Sequence, residues 1–315
     1  MIFKHCSVMI PQLIDSILNP YFNFHKRKWN NIKCCTKKYI LSDKKIYKIY
    51  IDCTFGCGSH SMKISNKLNI NDVLITIDKD QESIKISKFF IKDKKKIISI
   101  NKDFSKNIET INFLGIKIID GVFFDIGLSF IHLKNNKRGF SLKENGPLDM
   151  RINKHQKFGL KKIIYDENLK EIKKIIKNYG NEKLFLKISK KIIYYRKKNK
   201  INNTKNLLKI ILKPFRQKNF FLATRTFQAF RIHVNKELEE IIYSIIIILK
   251  NLSNKGIITL FSFHSIEDRI VKNFIKLKQI NGIIKSFIKI KADQSEVISN
   301  KSSRSVIIRV GKKII

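Results

Sequence analysis

The stretch Asp52-Cys53-Thr54-Phe55-Gly56-Cys57-Gly58-Ser59-His60 joins an apolar run, Ile46 to Ile51, to a helix-like segment from Ser61 to Leu68. A glycine turn between a buried strand and a helix lets backbone approach a ligand closely, beside the positive end of the helix dipole. The next apolar run, Val73 to Ile77, ends in Asp78, whose carboxylate can accept hydrogen bonds from ribose hydroxyls. A later run, Gly121 to Phe124, ends in Asp125, where an acid can face both a cofactor and an acceptor or simply cap the following turn. Acids at strand ends beside a glycine turn describe a nucleotide site at the carboxyl edge of a parallel sheet.

The turn discriminates among nucleotides. The dinucleotide pattern G-x-G-x-x-G requires glycine at position 61, which is Ser61. No Gly-Lys-Ser/Thr closes the turn as a Walker loop would. Asp52, ahead of the turn, suits a cofactor that carries an amino group and a sulfonium charge, as S-adenosylmethionine does. A purely structural βα turn is the alternative on these residues alone.

The elements that must position these residues follow from periodicity. Strands are predicted near 46–52, 73–78, 96–100 and 118–125 with helical runs between, an α/β pattern that implies a parallel sheet covered on both faces. Residues 20–45 are polar and lysine-rich and read as a surface loop or short helix. From 132 to 217 the pattern becomes lysine-rich helices, such as Leu169 to Tyr179 and Leu184 to Lys198, with no βαβ unit. The expected organisation is therefore a first sheet segment at 1–131, an inserted helical domain at 132–217, and a second sheet segment at 218–315. In the last, Thr226 to Lys250 is predicted as one long helix, Gly256 to Phe261 as a buried strand, Glu267 to Leu277 as a helix and Val306 to Val310 as a final strand.

The chain has 65 Lys and Arg against 25 Asp and Glu, a formal charge of +40, which attracts phosphate. Lys, Ile, Asn, Phe and Tyr all dominate, and their codons are rich in A and T, so total charge is weak evidence for RNA. Arginine position is better evidence, because lysine cannot reproduce a planar bidentate fork. Five of the ten arginines (Arg138, Arg151, Arg225, Arg231 and Arg269) fall at predicted loop–helix junctions. Gln228, Arg231 and Asn235 form a polar stripe at i, i+3 and i+7. In Ser262 to Arg269, Ser265 is placed to cap a helix whose first turn carries Glu267 and Asp268. Five cysteines, an odd number with no secretory start, argue for free thiols in a reducing compartment. Cys53 and Cys57 lack zinc spacing and further ligands, so no metal is expected. The apolar run Ile241 to Leu249 is too short to span a bilayer, and a cytoplasmic protein without a membrane partner is expected.

Taken in order, these blocks resemble the bacterial small-subunit ribosomal RNA cytosine-N4 methyltransferase family. The resemblance runs from His5 through Asp52 to His60, Asp78, Asp125, Leu148 to Arg151, Phe227 to Asn235 and Ser262 to Lys272, and reaches Ser303-Arg304-Ser305. It implies a class I, Rossmann-like methyltransferase sheet with an inserted helical domain for substrate recognition. It also implies S-adenosylmethionine as cofactor and a cytosine of the 16S rRNA decoding region as target, within the small ribosomal subunit or its late precursor. Cofactor contacts would fall on Gly58, Ser59, His60, Asp78, Phe104, Asp125 and His132. Ser59 stands where the family has a second glycine, and His132 where it has glutamine. Asp125 is the candidate catalytic acceptor, and Arg138, Asp149, Arg151, Arg231, Asn235, His264 and Arg269 are the candidate substrate contacts. His60 and His264 are possible proton acceptors, although proton loss to water serves equally and no general base is assigned. Two rivals remain on sequence: a non-catalytic RNA-binding assembly factor, and an S-adenosylmethionine enzyme acting on DNA or protein. DNA amino-methyltransferases usually carry Pro-Pro-aromatic after the strand-four acid, where this chain has Ile126-Gly127-Leu128.

Overall fold

The computed structural model describes residues 7–19, 47–91, 97–102, 114–198, 201–213 and 220–314. The expected surface segment at 20–45 lies outside the described residues. The chain packs as two units, Met1–Gly127 with Glu240–Ile315, and Leu128–Glu239.

In the first unit, α1 (Ile10–Leu18), β1 (Ile49–Asp52), α2 (Ser59–Ser65), β2 (Val73–Asp78), α3 (Gln81–Ile91), β3 (Ile97–Asn101) and β4 (Ile119–Asp125) come first. The second unit holds α4 (Phe130–Lys134), α5 (Leu160–Asp166), α6 (Leu169–Gly180), α7 (Phe185–Lys197), α8 (Thr204–Leu212) and α9 (Phe220–Asn235). The chain then continues through α10 (Glu237–Asn251), β5 (Leu252–Ser262), α11 (Ser265–Ile280), β6 (Ile284–Lys291), α12 (Gln294–Ser299) and β7 (Ile307–Lys313).

The strands make one sheet in the order β3-β2-β1-β4-β5-β7-β6. The first five are parallel, and β7 runs antiparallel between β5 and β6. This is the doubly wound, Rossmann-like sheet expected, and the order reverses between β1 and β4, where such sheets open a crevice for ligands. Strand alternation feeds two cores. Tyr50, Leu74, Phe123 and Phe261 pack on one face with Leu13 and Ile17 of α1. Ile51, Ile75, Phe124 and Leu260 pack on the other with Ile245 and Ile248 of α10 and Val271 and Ile275 of α11. Each such side chain, fully buried, stabilises the fold by about 1.5–3 kcal/mol. Helix α1 and edge strand β6 escaped the periodicity reading. The first is too short to repeat its pattern, and the second mixes isoleucine with lysine much as the surrounding helices do. Strand β5 starts at Leu252 rather than 256, with a register shift opposite Ile119–Gly121 and Lys255 at φ 67°.

The helical unit has its own core, in which Leu160, Ile172, Ile176, Ile188, Ile192, Leu207 and Ile211 meet Ala223, Phe227, Phe230 and Val234 of α9. Helix α9 therefore belongs with the insertion, and the boundary expected at 217 moves to 239. The single helix expected over Thr226 to Lys250 is two helices, broken at Lys236 in the left-handed region (φ 48°). The physical cause is tertiary: the Asn235 side chain is committed to the backbone of Met150 and Ile152, far away in the chain, and Glu237 to Arg231.

An unanticipated pair ties α11 to β7. Arg309 donates to Asp268 as a fork, Nε to Oδ1 at 2.8 Å and a terminal nitrogen to Oδ2 at 3.0 Å, both groups largely buried. Removing one partner strands a desolvated charge. Arg309→Met should lower stability by about 3–5 kcal/mol, read from urea unfolding, and adding Asp268→Asn should recover part of that loss. Equal stability of wild type and single variant would show that the pair contributes nothing.

Candidate functional site

The carboxyl edge of β1, β2 and β4 carries Asp52, Asp78 and Asp125, and each is tied to the glycine turn. Buried Asp52 accepts Thr54 N–H at 2.9 Å on Oδ1, and the Ser61 hydroxyl on Oδ2. The Thr54 hydroxyl in turn accepts the backbone N–H of Asp125 at 2.5 Å. Asp78 accepts Gly56 N–H at 2.7 Å and Asp80 N–H at 2.8 Å. The turn is thus held from β2 as well as from β1.

Gly56 and Gly58 have φ of 55° and 77°. A Cβ on Gly58 would collide with the ring of Phe55, so this position is closed to other residues by both backbone and packing. Ser59 is the first residue of α2 and has helical backbone, so its side chain carries no conformational cost there.

His60 lies under the sheet edge, 6% exposed, against the rings of Phe123 and Phe261. Its Nε2 is 3.0 Å from the Val8 carbonyl and its Nδ1 is 3.1 Å from Asp125 Oδ2. Both nitrogens face oxygen acceptors, and only the doubly protonated ring can donate to both. Burial opposes that charge, but the Asp125 hydrogen bond and charge, the Val8 carbonyl and Asp52 outweigh it and raise the pKa. The His60 ring holds one oxygen of Asp125. The other, Oδ1, is buried and has no hydrogen-bond partner among the described residues.

Among the other expected contacts, Phe104 lies outside the described residues. His132 is buried in the helical unit, where Nδ1 accepts the Ser129 N–H at 3.3 Å in the capping box of α4. Four expected substrate contacts are engaged by groups of the helical unit itself. Arg138, 1% exposed, donates to the carbonyls of Arg151 and Ile152 at 3.0 and 2.8 Å. Arg151 forks onto Asp149 at 2.5 and 3.2 Å and also donates to the carbonyls of Lys154 and Gln156, which uses Asp149 as well. Asn235 pairs with the backbone of Met150 and Ile152 at 2.8 Å on each side of its amide. Together these four residues hold a loop in place, because buried backbone carbonyls and N–H groups require partners.

His264, not Ser265, caps α11: Nδ1 accepts Glu267 N–H at 3.3 Å while Nε2 lies 2.8 Å from Glu267 Oε1. Both nitrogens of each ring, His60 and His264, thus face a partner within the protein. Arg231 pairs with Glu237 at 2.9 Å and lines a cavity of about 760 Å³ within the helical unit. Lys134, Lys143, Phe140, Phe227 and Gln228 share that lining. Arg269 is exposed on α11. Sequence reasoning passed over Thr54 and the Val8 carbonyl, and noted Ser61 only as a missing glycine. Their roles depend on neighbours in space and have no local signal.

Burial pushes the Asp52 carboxyl up to about 7, against the lowering effects of Ser61, Thr54 and His60. Among the described residues no group of three or more His, Cys, Asp or Glu is placed to hold a metal ion. No described helix is long and apolar enough to cross a membrane.

A parallel sheet with a glycine turn after its first strand and acids ending its second and fourth, interrupted by a helical unit after the fourth, is the architecture of a class I methyltransferase. Residues 2–314 match the MraW methylase family, and the chain belongs to that family. It is 41% identical to the ribosomal RNA small subunit methyltransferase H of Wigglesworthia glossinidia brevipalpis, over 84% of this chain and 92% of that one. The protein of the same name from Buchnera aphidicola subsp. Acyrthosiphon pisum (strain APS) is 36% identical over 99% and 98% of the two chains. Among solved structures, an rRNA methylase from Streptococcus thermophilus is similar with a TM-score of 0.41 and 8% identity, over 85% and 88% of the two chains.

Two outcomes are expected. The unfolded chain releases the Asp52 proton near 3.8 and the folded protein holds it to about 7, so between these values the folded state binds the extra proton. Stability from this group therefore falls as pH rises through that window. His60 acts in the same direction: its raised pKa gives stability below its unfolded value that is lost as pH rises through the folded one. Asp52→Asn should make the urea midpoint fall less between pH 5 and pH 7.5 than it does in wild type; parallel slopes would exclude this account. Separately, Arg138→Lys should cost about 1–3 kcal/mol by leaving buried carbonyls unpaired. Exposed Arg269→Gln should change stability by less than about 0.5 kcal/mol yet weaken RNA binding. A thermal-shift and RNA-titration comparison checks both.

Proposed function

We propose that this protein uses S-adenosylmethionine to methylate the exocyclic N4 of a cytosine in the decoding region of 16S rRNA, within the small ribosomal subunit or its late precursor, in the cytoplasm. The observation that carries the reading is Asp125 Oδ1, a buried acceptor without a partner among the described residues at the carboxyl end of β4. It sits on the same sheet edge as the turn that fits the cofactor. The names of the relatives support the ribosomal RNA substrate. When bound, S-adenosylmethionine supplies an electrophilic methyl group on a positively charged sulfur.

The protein's own groups supply position. Asp78 offers carboxylate oxygens to the ribose hydroxyls, and the backbone at Gly58 and Ser59 comes close to the cofactor. The lone pair of the N4 amine is delocalised into the cytosine ring, which makes it a poor nucleophile. Asp125 Oδ1 accepts one N–H of that amine and turns its lone pair toward the methyl carbon. His60, by holding Oδ2, fixes the direction in which Oδ1 points. A gain of this kind comes from orientation rather than from proton abstraction, and the proton is lost to water after transfer. The target base must leave its stack to reach such an edge. In the helical unit, the cavity beside Arg231 and Lys134 combines basic groups with aromatic rings, the chemistry of an RNA-holding surface.

Asp125→Asn keeps the shape but turns one acceptor oxygen into a donor. Turnover on small-subunit particles should fall about 100-fold or more, while cofactor affinity by titration calorimetry stays near wild type. A parallel fall in both would make Asp125 chiefly a cofactor ligand. Mapping methylated cytosine in 16S rRNA from strains with and without the gene tests the reaction itself; identical maps would reject it.

A further inference from the structure

The helical unit contains an irregular loop that is held with more care than its packing requires. Its base is closed by Leu160 N–H on the Asp149 carbonyl at 2.8 Å and Lys161 N–H on the Leu148 carbonyl at 2.7 Å. Gly159 sits where a Cβ would lie 2.8 Å from the same Asp149 oxygen, so the two ends touch. Inside, Arg138 and Asn235 bind the backbone of residues 150–152, with Met150 held at φ 58°. Arg151 binds the carbonyls of Lys154 and Gln156, and the Gln156 amide donates to the carbonyls of Val234 and Phe158. The backbone of an exposed segment is thus pinned from inside along its length. Compact loops with closed ends of this kind are frequently functional, and pre-ordering lowers the entropy cost of binding.

What the loop displays is specific. His155, Lys157 and Phe158 are all exposed. Phe158 keeps 50% of its surface accessible, and the Lys162 ammonium lies 3.6 Å from its ring centroid, which covers one face with a cation. Between Asp149 and Asp166 the chain has no acidic residue, while Lys154, Lys157, Lys161 and Lys162 fall in that interval. Drift towards lysine explains charge but not an aromatic ring held at the tip of a pinned loop. Aromatic rings beside cations are how proteins grip unpaired nucleotides: a base stacks on the ring and the cations meet flanking phosphates.

We propose that residues 155–158 form a pre-ordered contact for single-stranded RNA, in which an unpaired base stacks on Phe158 and the neighbouring phosphates meet Lys157 and His155. This rests on the reading of the protein as an rRNA enzyme and places one of its RNA contacts.

The test uses the full chain, a labelled 12-nucleotide single-stranded RNA, and the same RNA made abasic at its central positions. Phe158→Leu, which keeps an apolar body but no aromatic face, should bind the normal RNA about five- to tenfold more weakly and the abasic RNA as wild type does. Phe158→Tyr should bind within about twofold of wild type, which guards against a folding defect in the leucine variant. Lys157→Gln should weaken both RNAs and reduce the salt slope by about 0.7. If Phe158→Leu binds normal RNA like wild type, or loses affinity for both RNAs equally, stacking on this loop is overturned. Methyl transfer to small-subunit particles separates this proposal from the function it rests on. If wild type transfers methyl groups and the loop variants keep its KM, the loop proposal fails alone. If wild type transfers none while the RNA-binding differences persist, the enzymatic reading fails and the loop contact stands. A raised KM with unchanged kcat supports both.

Discussion

A carboxylate withdrawn from water at the end of a parallel strand must be met by donors, and in this protein two buried carboxylates, Asp52 and Asp78, and the partly exposed Asp125 converge on one turn. Asp52 takes Thr54 and Ser61, Asp78 takes Gly56 and Asp80, and Asp125 takes His60. An unmet charge there would cost several kcal/mol. The donors nearest to hand are the backbone N–H groups of the turn and the first side chains of α2, so satisfying the acids shapes the turn. The Thr54 hydroxyl links β4 to β1 through Asp125 N–H. The geometry of this sheet edge is thus the solution to an electrostatic problem posed by its own acids.

Among the described residues one acceptor, Asp125 Oδ1, is left over from that solution. His60 can serve only Oδ2 of Asp125 because its other nitrogen is taken by the Val8 carbonyl, at the start of the segment that leads into α1. A short N-terminal segment, seated by the Glu296 carboxylate accepting Met9 N–H at 2.9 Å, therefore takes part in orienting His60 and, through it, Asp125. The same logic governs the helical unit with the polarity reversed. There the unmet groups are backbone carbonyls of an irregular loop, and Arg138, Arg151, Asn235 and Gln156 meet them from inside. Guanidinium and amide groups are suited to this because each can serve several backbone atoms at once from one fixed plane.

The arginines singled out in the sequence sit in different surroundings. Arg138 and Arg151 are rare because lysine cannot replace a fork on two carbonyls or on a carboxylate, and that requirement is architectural. Arg269 is exposed, and Arg231 pairs with Glu237 in a cavity lining. A single sequence cannot separate these cases, since forked binding of backbone and forked binding of phosphate demand the same side chain.

The sequence by itself determined the alternation of strand and helix, the strand-end acids, the glycine turn and the presence of a helical insertion. Those features rest on local physics: period-two and period-3.6 burial, and the backbone freedom of Gly56 and Gly58. Tertiary structure alone decided which atoms meet. It broke the expected long helix at Lys236, moved α9 into the insertion, set Arg309 on Asp268, and turned Ser61 from a missing glycine into the donor for Asp52. Each of these depends on a partner far away in the chain or on a side chain's choice between competing acceptors. Hydrogen bonds and ion pairs are short-ranged and directional, so their pattern exists only once the backbone has brought the partners within about 3 Å of each other.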